Sequence, residues 1–174
     1  MLDIVSKTLA IGTIGTQIFI VLLIVYFLFF RKKTDFIPGF LAKNWLKLAF
    51  AVAVIATSGS LFYSEFAGFN PCRLCWFQRI FMYPQVIILG IALAKKDSKI
   101  VDYILPLSVV GLIISIYHNY IFYGAISSAV CAIGESCVTQ YVLEFGYITI
   151  PMMSLTAFAL IIAFVLSKKY LEKN

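Results

Sequence analysis

Four cysteines are the residues in this chain whose type and spacing could do chemistry. Cys72 and Cys75 stand in Pro71-Cys72-Arg73-Leu74-Cys75, and Cys131 and Cys137 follow with five residues between them. A C-x-x-C spacing closes a very small ring, so a thiolate on one sulfur has little distance to travel to the other. Thiol–disulfide exchange runs by thiolate attack through mixed disulfides, and any group that favours the thiolate makes such a pair reactive. Cys75 falls near the first turn of an apolar run, where free N–H groups and the helix dipole favour an anion. Arg73 adds positive charge, and Arg79 lies four residues beyond Cys75 on the same helix face. A purely structural disulfide would need none of these features.

Other chemistry was open to the same residues. Two structural disulfides could brace loops, although a helical bundle already buries a large surface. A four-cysteine zinc site would use the first pair's ligand spacing, but the second pair is too widely spaced for the usual pattern. No metal is therefore assigned. Arg79 could snorkel to an interface, or it could stabilise a developing anion beside the thiols. Ionisable residues inside a membrane mark functional sites by default. His118, the sole histidine, reads first as a core residue bonded to Asn119 or a tyrosine. The other reading puts it at the depth of Arg79, facing a common pocket.

The elements that position these residues follow from composition. The chain has 174 residues, 62% hydrophobic and 13% charged, with mean hydropathy +0.98. So little charge cannot cover the surface of a soluble domain, and so much apolar surface excludes intrinsic disorder. The net charge of +6 does not indicate nucleic-acid binding, because the basic residues sit at the ends of apolar runs. Those runs are Leu9–Phe30, Leu48–Ser64, Trp76–Ala94, Val101–Gly124 and Tyr147–Ser167. Each approaches the roughly 20 residues that cross a bilayer, and in lipid each must be helical. The expected fold is an all-α membrane bundle of five transmembrane helices. The first run is too long for a signal peptide and reads as a retained helix.

Lysine and arginine set the expected orientation. Arg31, Lys32, Lys33, Lys43, Lys47, Lys95, Lys96, Lys99, Lys168, Lys169 and Lys173 would face the cytoplasm. The N-terminus would face out, the C-terminus in, and all four cysteines out, where disulfides persist. The outer connections would be Glu65–Cys75 and Ala125–Gly146. In the second, Val138–Phe145 has apolar residues at helical spacing, which predicts a short amphipathic surface helix. Pro84 is expected to kink the third helix, and Ala49, Ala53, Ala56 and Gly59 give the second a small-residue packing face.

The run Pro71-Cys72-Arg73-Leu74-Cys75-Trp76-Phe77-Gln78-Arg79-Ile80, with Met82-Tyr83-Pro84 after it, resembles the P-C-x-L-C-x-x-x-R signature of the DsbB/BdbC family of disulfide-forming membrane proteins. Tyr117-His118-Asn119 and Phe145-Gly146-Tyr147-Ile148-Thr149-Ile150-Pro151 resemble its BdbC-like branch. The resemblance spans about Leu48–Leu166. It implies a division into an N-terminal helix with a basic connection, 1–47, and a four-helix redox domain, 48–174. It implies a bacterial cytoplasmic-membrane enzyme that reoxidises a DsbA/BdbD-like thioredoxin-fold thiol oxidase and passes the electrons to ubiquinone or menaquinone. Residue by residue, Cys131 would take the partner's attack and Cys137 would exchange with Cys72. Cys75 would be the thiolate beside the quinone, with Arg79, and by a looser match His118, binding it. A vitamin K epoxide reductase-like enzyme shares this logic, but the short second pair and the Cys75–Pro84 wording favour DsbB/BdbC. The non-enzyme rival is a membrane protein with two stabilising disulfides. A transporter is weaker, because no broken helix pair or charged midplane site is visible.

Overall fold

The computed structural model describes residues 2–29, 36–97, 99–124, 137 and 139–173. Five long helices make up the fold: α1 (Leu2–Phe29), α2 (Phe36–Leu61), α3 (Arg73–Lys95), α4 (Val101–Gly124) and α5 (Ile150–Lys173). A π-helical turn, Phe62–Phe66, extends α2. The spans Leu2–Tyr26, Lys43–Phe66, Arg73–Lys95, Val101–Gly124 and Ile150–Tyr170 are each long and apolar enough to cross a membrane. The five-helix, all-α expectation holds.

The helix ends explain themselves locally. Cys72 caps α3 in an extended conformation, φ −68° and ψ 170°, directly after Pro71. The helix therefore begins at Arg73, earlier than the apolar run, and Cys75 lies inside it. At the other end Lys96 takes a left-handed conformation (φ 53°). Its N–H and that of Asp97 return to Leu93 and Ala92 carbonyls, closing orphan acceptors as a left-handed C-cap does. Thr149 precedes α5, and its Oγ1 accepts the Met152 N–H at 3.4 Å, an N-cap bond.

Helices α2 and α5 make the most extensive pairing, and α3 and α4 complete the bundle beside them. Ala49 and Ala53, from the small-residue face, are fully buried in the core that this pairing forms. Phe158 of α5 lies against Gly111 of α4, where an added Cβ would stand 2.3 Å from its Cε1. Polar side chains tie helices together inside the bundle. Ser108 donates to Gln85 Oε1 at 3.0 Å, and Asn119 Nδ2 donates to the Pro151 carbonyl at 3.0 Å. With little hydrophobic force between helices in lipid, such bonds and close packing hold a bundle.

One expected element is overturned. The described residues 139–145 are not helical. Phe145 (φ 52°) and Gly146 (φ 78°) both take left-handed conformations and make a tight turn. That turn pairs Glu144 with Ile148. Eight residues are too few to nucleate a stable helix alone, and tertiary contacts decide instead. Tyr141 stacks on Phe69 with centroids 4.6 Å apart, Val142 is buried, and Tyr123 donates to the Tyr147 carbonyl.

Candidate active site

The start of α3 brings Cys72 and Cys75 together. Both are free thiols, and their sulfurs share a hydrogen bond at 3.3 Å. Cys72 is buried and Cys75 half-buried. A disulfide needs about 2.05 Å between sulfurs, so a small movement closes the pair. Cys137 is buried in the same apolar cluster as Cys72, together with Leu74 and Ile121. Cys137 is disulfide-bonded. Cys131 lies outside the described residues.

His118 of α4 completes the thiol environment. It is 2% exposed, and its Nε2 lies 3.7 Å from Cys72 Sγ. Its other ring nitrogen, Nδ1, meets the Gln78 amide nitrogen at 3.1 Å. The favoured sequence reading, a core histidine bonded to Asn119 or a tyrosine, is therefore corrected. Asn119 turns instead to the Ser115 and Pro151 carbonyls. The reason is register: Gln78 is three residues past Cys75 on α3, so one helix face presents both a thiol and an amide to α4.

The electrostatics fall mainly on Cys72. The hydrogen bond from Cys75 holds its thiol far below the ordinary value, at about 4, against the opposing cost of burial. His118 adds to the lowering through its hydrogen bond and its charge. The sequence placed the favoured thiolate at Cys75, one turn inside the helix. In the structure it is the cap residue, touched by Cys75 and His118, whose surroundings favour the anion.

Arg79 is anchored on Ser60. Its Nε donates to Ser60 Oγ and its Nη2 to the Ser60 carbonyl, both at 3.0 Å. Its guanidinium lies 5.2 Å from the Trp76 ring centroid, a cation–π distance. Tyr83 also donates to Ser60 Oγ at 3.4 Å. Arginine has five N–H donors, so among the described residues three remain for another acceptor. Ser60, Gln78 and Tyr83 escaped the sequence reading. Gln78 and Tyr83 left a signal, being polar residues on the face of α3 that carries Cys75 and Arg79. Ser60 left none, because its partner lies nineteen residues away.

Cys72, Cys75, Gln78, Arg79, His118 and Cys137 all line one cavity of about 420 Å³. Its size lies within the roughly 300–1,000 Å³ of small-molecule sites. Cys72, Cys75 and His118 bring three ligand atoms within 4.8 Å of one another, a different set from the four cysteines weighed for zinc. The same closeness is what formation of a Cys72–Cys75 bond requires.

A free dithiol at a helix start, open to a cavity inside a bundle of membrane-length helices, defines a membrane thiol–disulfide protein. The family described as "Disulfide bond formation protein DsbB" matches residues 42–167. Disulfide bond formation protein C of Bacillus subtilis is 46% identical over 127 residues, 72% of this chain and 88% of that protein. The SPbeta prophage-derived disulfide bond formation protein B of Bacillus subtilis is 44% identical over 137 residues, 76% of this chain and 93% of its own length. A probable disulfide formation protein of Oceanobacillus iheyensis is 44% identical over 126 residues, covering 69% and 85% respectively. No solved structure matches the chain. The chain belongs to the DsbB family of disulfide bond formation proteins. Its work is disulfide formation at a membrane, by thiol oxidoreduction.

Proposed function

We propose that the protein draws electrons from a thioredoxin-like dithiol partner outside the bacterial cytoplasmic membrane and delivers them to a membrane quinone. One observation carries this reading: a free dithiol and an anchored arginine open on one cavity among apolar helices. A quinone fits the residues present. The walls are largely apolar side chains, and the uncommitted N–H groups of Arg79 suit a carbonyl oxygen that gains negative charge on reduction. Bound there, the quinone supplies the sink for two electrons and two protons.

The chain's own residues divide the remaining work. Cys131 takes the thiolate of the partner, which frees Cys137. Cys137 attacks Cys72 in the oxidised Cys72–Cys75 pair, forming a Cys137–Cys72 bond and releasing Cys75 as a thiolate. Burial of Cys137 and Cys72 in one cluster supports that exchange. Arg79 lies four residues along the same helix and orients the acceptor. The Gln78 amide donates to His118 Nδ1 and fixes the ring, so Nε2 keeps its proton and points it at Cys72 Sγ, steadying a thiolate there. The partner's second thiolate then breaks its bond to Cys131, and the freed Cys131 thiolate attacks Cys137, restoring the Cys131–Cys137 bond and leaving Cys72 and Cys75 reduced. One dithiol partner has become one disulfide, and its two electrons rest on the Cys72–Cys75 pair for the acceptor. His118 beside Cys72 and Arg79 on the shared cavity favour chemistry at this pair over a merely structural staple. The basic residues at the opposite helix ends, Lys95, Lys96 and Lys99 among them, favour an outward-facing site by charge asymmetry.

The test is quinone absorbance after adding a reduced thioredoxin-fold dithiol protein to the purified protein. Loss of the quinone band, abolished by Cys72→Ser or Cys75→Ser, is the expected result. A band that persists with both ubiquinone and menaquinone analogues overturns the reading.

A further inference from the structure

Helix α1 lies wholly outside the stretch that the family matches, 42–167, yet it is built into the cavity. Thr8, Leu9, Gly12, Thr13 and Thr16 line the same space as Cys75 and Arg79. These positions fall at i, i+1, i+4, i+5 and i+8, which is one helical face. Elsewhere α1 exposes apolar side chains such as Ile4, Ile11, Ile18 and Leu22, which suit lipid. A helix serving only as an anchor has no reason to hold three threonines and a glycine against a redox cavity.

The attachment is specific. Near its start, Ser6 accepts a bond from Tyr63 at 3.3 Å, both residues being buried. One turn on, Leu9 packs on Gly59 of α2, where a Cβ would lie 3.3 Å from its Cδ1. At its middle, Gln17 donates to Thr156 of α5 at 3.1 Å and accepts from Tyr147 at 3.0 Å. Thr156 is itself a cavity residue. Helix α1 is thus pinned across α2 and α5, and without it the cavity would lose one side.

We infer that α1 is a wall of the electron-acceptor site, and that Gly12 sets the size of quinone ring the site admits. This rests on the quinone reading above and goes beyond it by assigning a selecting function to a helix outside the matched family region. Gly12 sits inside the lining stripe, and a Cβ added there meets nothing within 4 Å. Gly12 is exposed, so its backbone borders the cavity with no side chain beside it. A side chain placed there adds bulk at the cavity's border without displacing protein atoms.

Gly12→Phe tests this position, and Gly15→Phe is the matched control. Gly15 also has open space at its Cβ but does not line the cavity. Steady-state reduction of short-chain benzoquinone and naphthoquinone analogues is measured with the full chain. Gly12→Phe is expected to raise KM about 10-fold or more, the scale of losing a fitted apolar contact, and more for the fused naphthoquinone ring. Gly15→Phe is expected to match the parent protein. An unchanged KM in Gly12→Phe overturns the inference while leaving the quinone reading intact. If the parent protein reduces neither quinone, both fall. A second measurement needs no substitution: an azidoquinone photolysed in the parent protein should label α1 peptides, and labelling confined to α2–α5 overturns the inference.

Discussion

The reduced Cys72–Cys75 pair should lose its first proton near pH 4, with the charge on Cys72, where an ordinary thiol titrates at 9.0. At pH 6 such an ordinary thiol is ~0.1% ionised, whereas Cys72 is ~99% ionised. Replacing His118 with leucine removes the ring nitrogen 3.7 Å from the sulfur and leaves the Cys75 bond in place. A hydrogen bond to a charged group contributes about 1.5–3 kcal/mol, and 1.36 kcal/mol corresponds to one pH unit. The midpoint should therefore rise by about one to two pH units. The sign follows from the anion losing a stabilising partner. The reduction potential of the pair should fall by about 30–60 mV, because the thiolate belongs to the reduced state. The assay is the far-ultraviolet thiolate absorbance of reduced protein carrying Cys131→Ser and Cys137→Ser, followed with pH. A depressed folded value also means that the reduced protein gains stability as pH rises above about 4. That stability is complete above the ordinary value and is lost as pH falls through about 4. A parent midpoint near 9, or a variant midpoint that does not move, refutes the reasoning.

Arg79→Lys keeps the charge but cannot hold Ser60 at two points as the guanidinium does. KM for quinone should rise about tenfold, one lost charge-assisted bond, while thiol exchange with the partner, read by trapping, stays unchanged. Gly111→Ala should lower the melting temperature in detergent, because its Cβ would lie 2.3 Å from Phe158. Overpacking of this kind costs about 1–3 kcal/mol. Gly59→Ala, which meets only the flexible end of Leu9 at 3.3 Å, should cost much less. Equal melting temperatures for the two variants would contradict the packing argument.

What was legible in the sequence depended on how local its cause was. The bounds of α4 match its apolar run, Val101–Gly124, because Asp102 falls in the first turn, where an acidic side chain suits the helix dipole, and His118 and Asn119 are buried within the bundle. The start of α2 was read at Leu48 but lies at Phe36. Lys43, Asn44 and Lys47 broke the apolar pattern without breaking the helix, since long charged side chains can reach the interface. The apolar spacing of 139–145 suggested a helix, and the left-handed pair Phe145–Gly146 made a turn instead. The cysteines, Arg79 and His118 could be picked out by residue type. Their partners could not, because Gln78 meets His118 across 40 residues of sequence and Ser60 meets Arg79 from another helix. The role of α1 was the least legible, since Thr13, Thr16 and Gln17 look ordinary until Thr156 and Tyr147 are seen beside Gln17.

Burying Cys137 in the cluster that holds Cys72 has a kinetic consequence. On the proposed route, the step between the two cysteine pairs is an intramolecular reaction with a high effective molarity. Its rate should be independent of protein concentration and of how dilute the partner is. Turnover would then be governed by two encounters, one in water and one in the plane of the membrane. Each would saturate separately, giving parallel lines in a double-reciprocal plot when one reactant is varied at several fixed levels of the other.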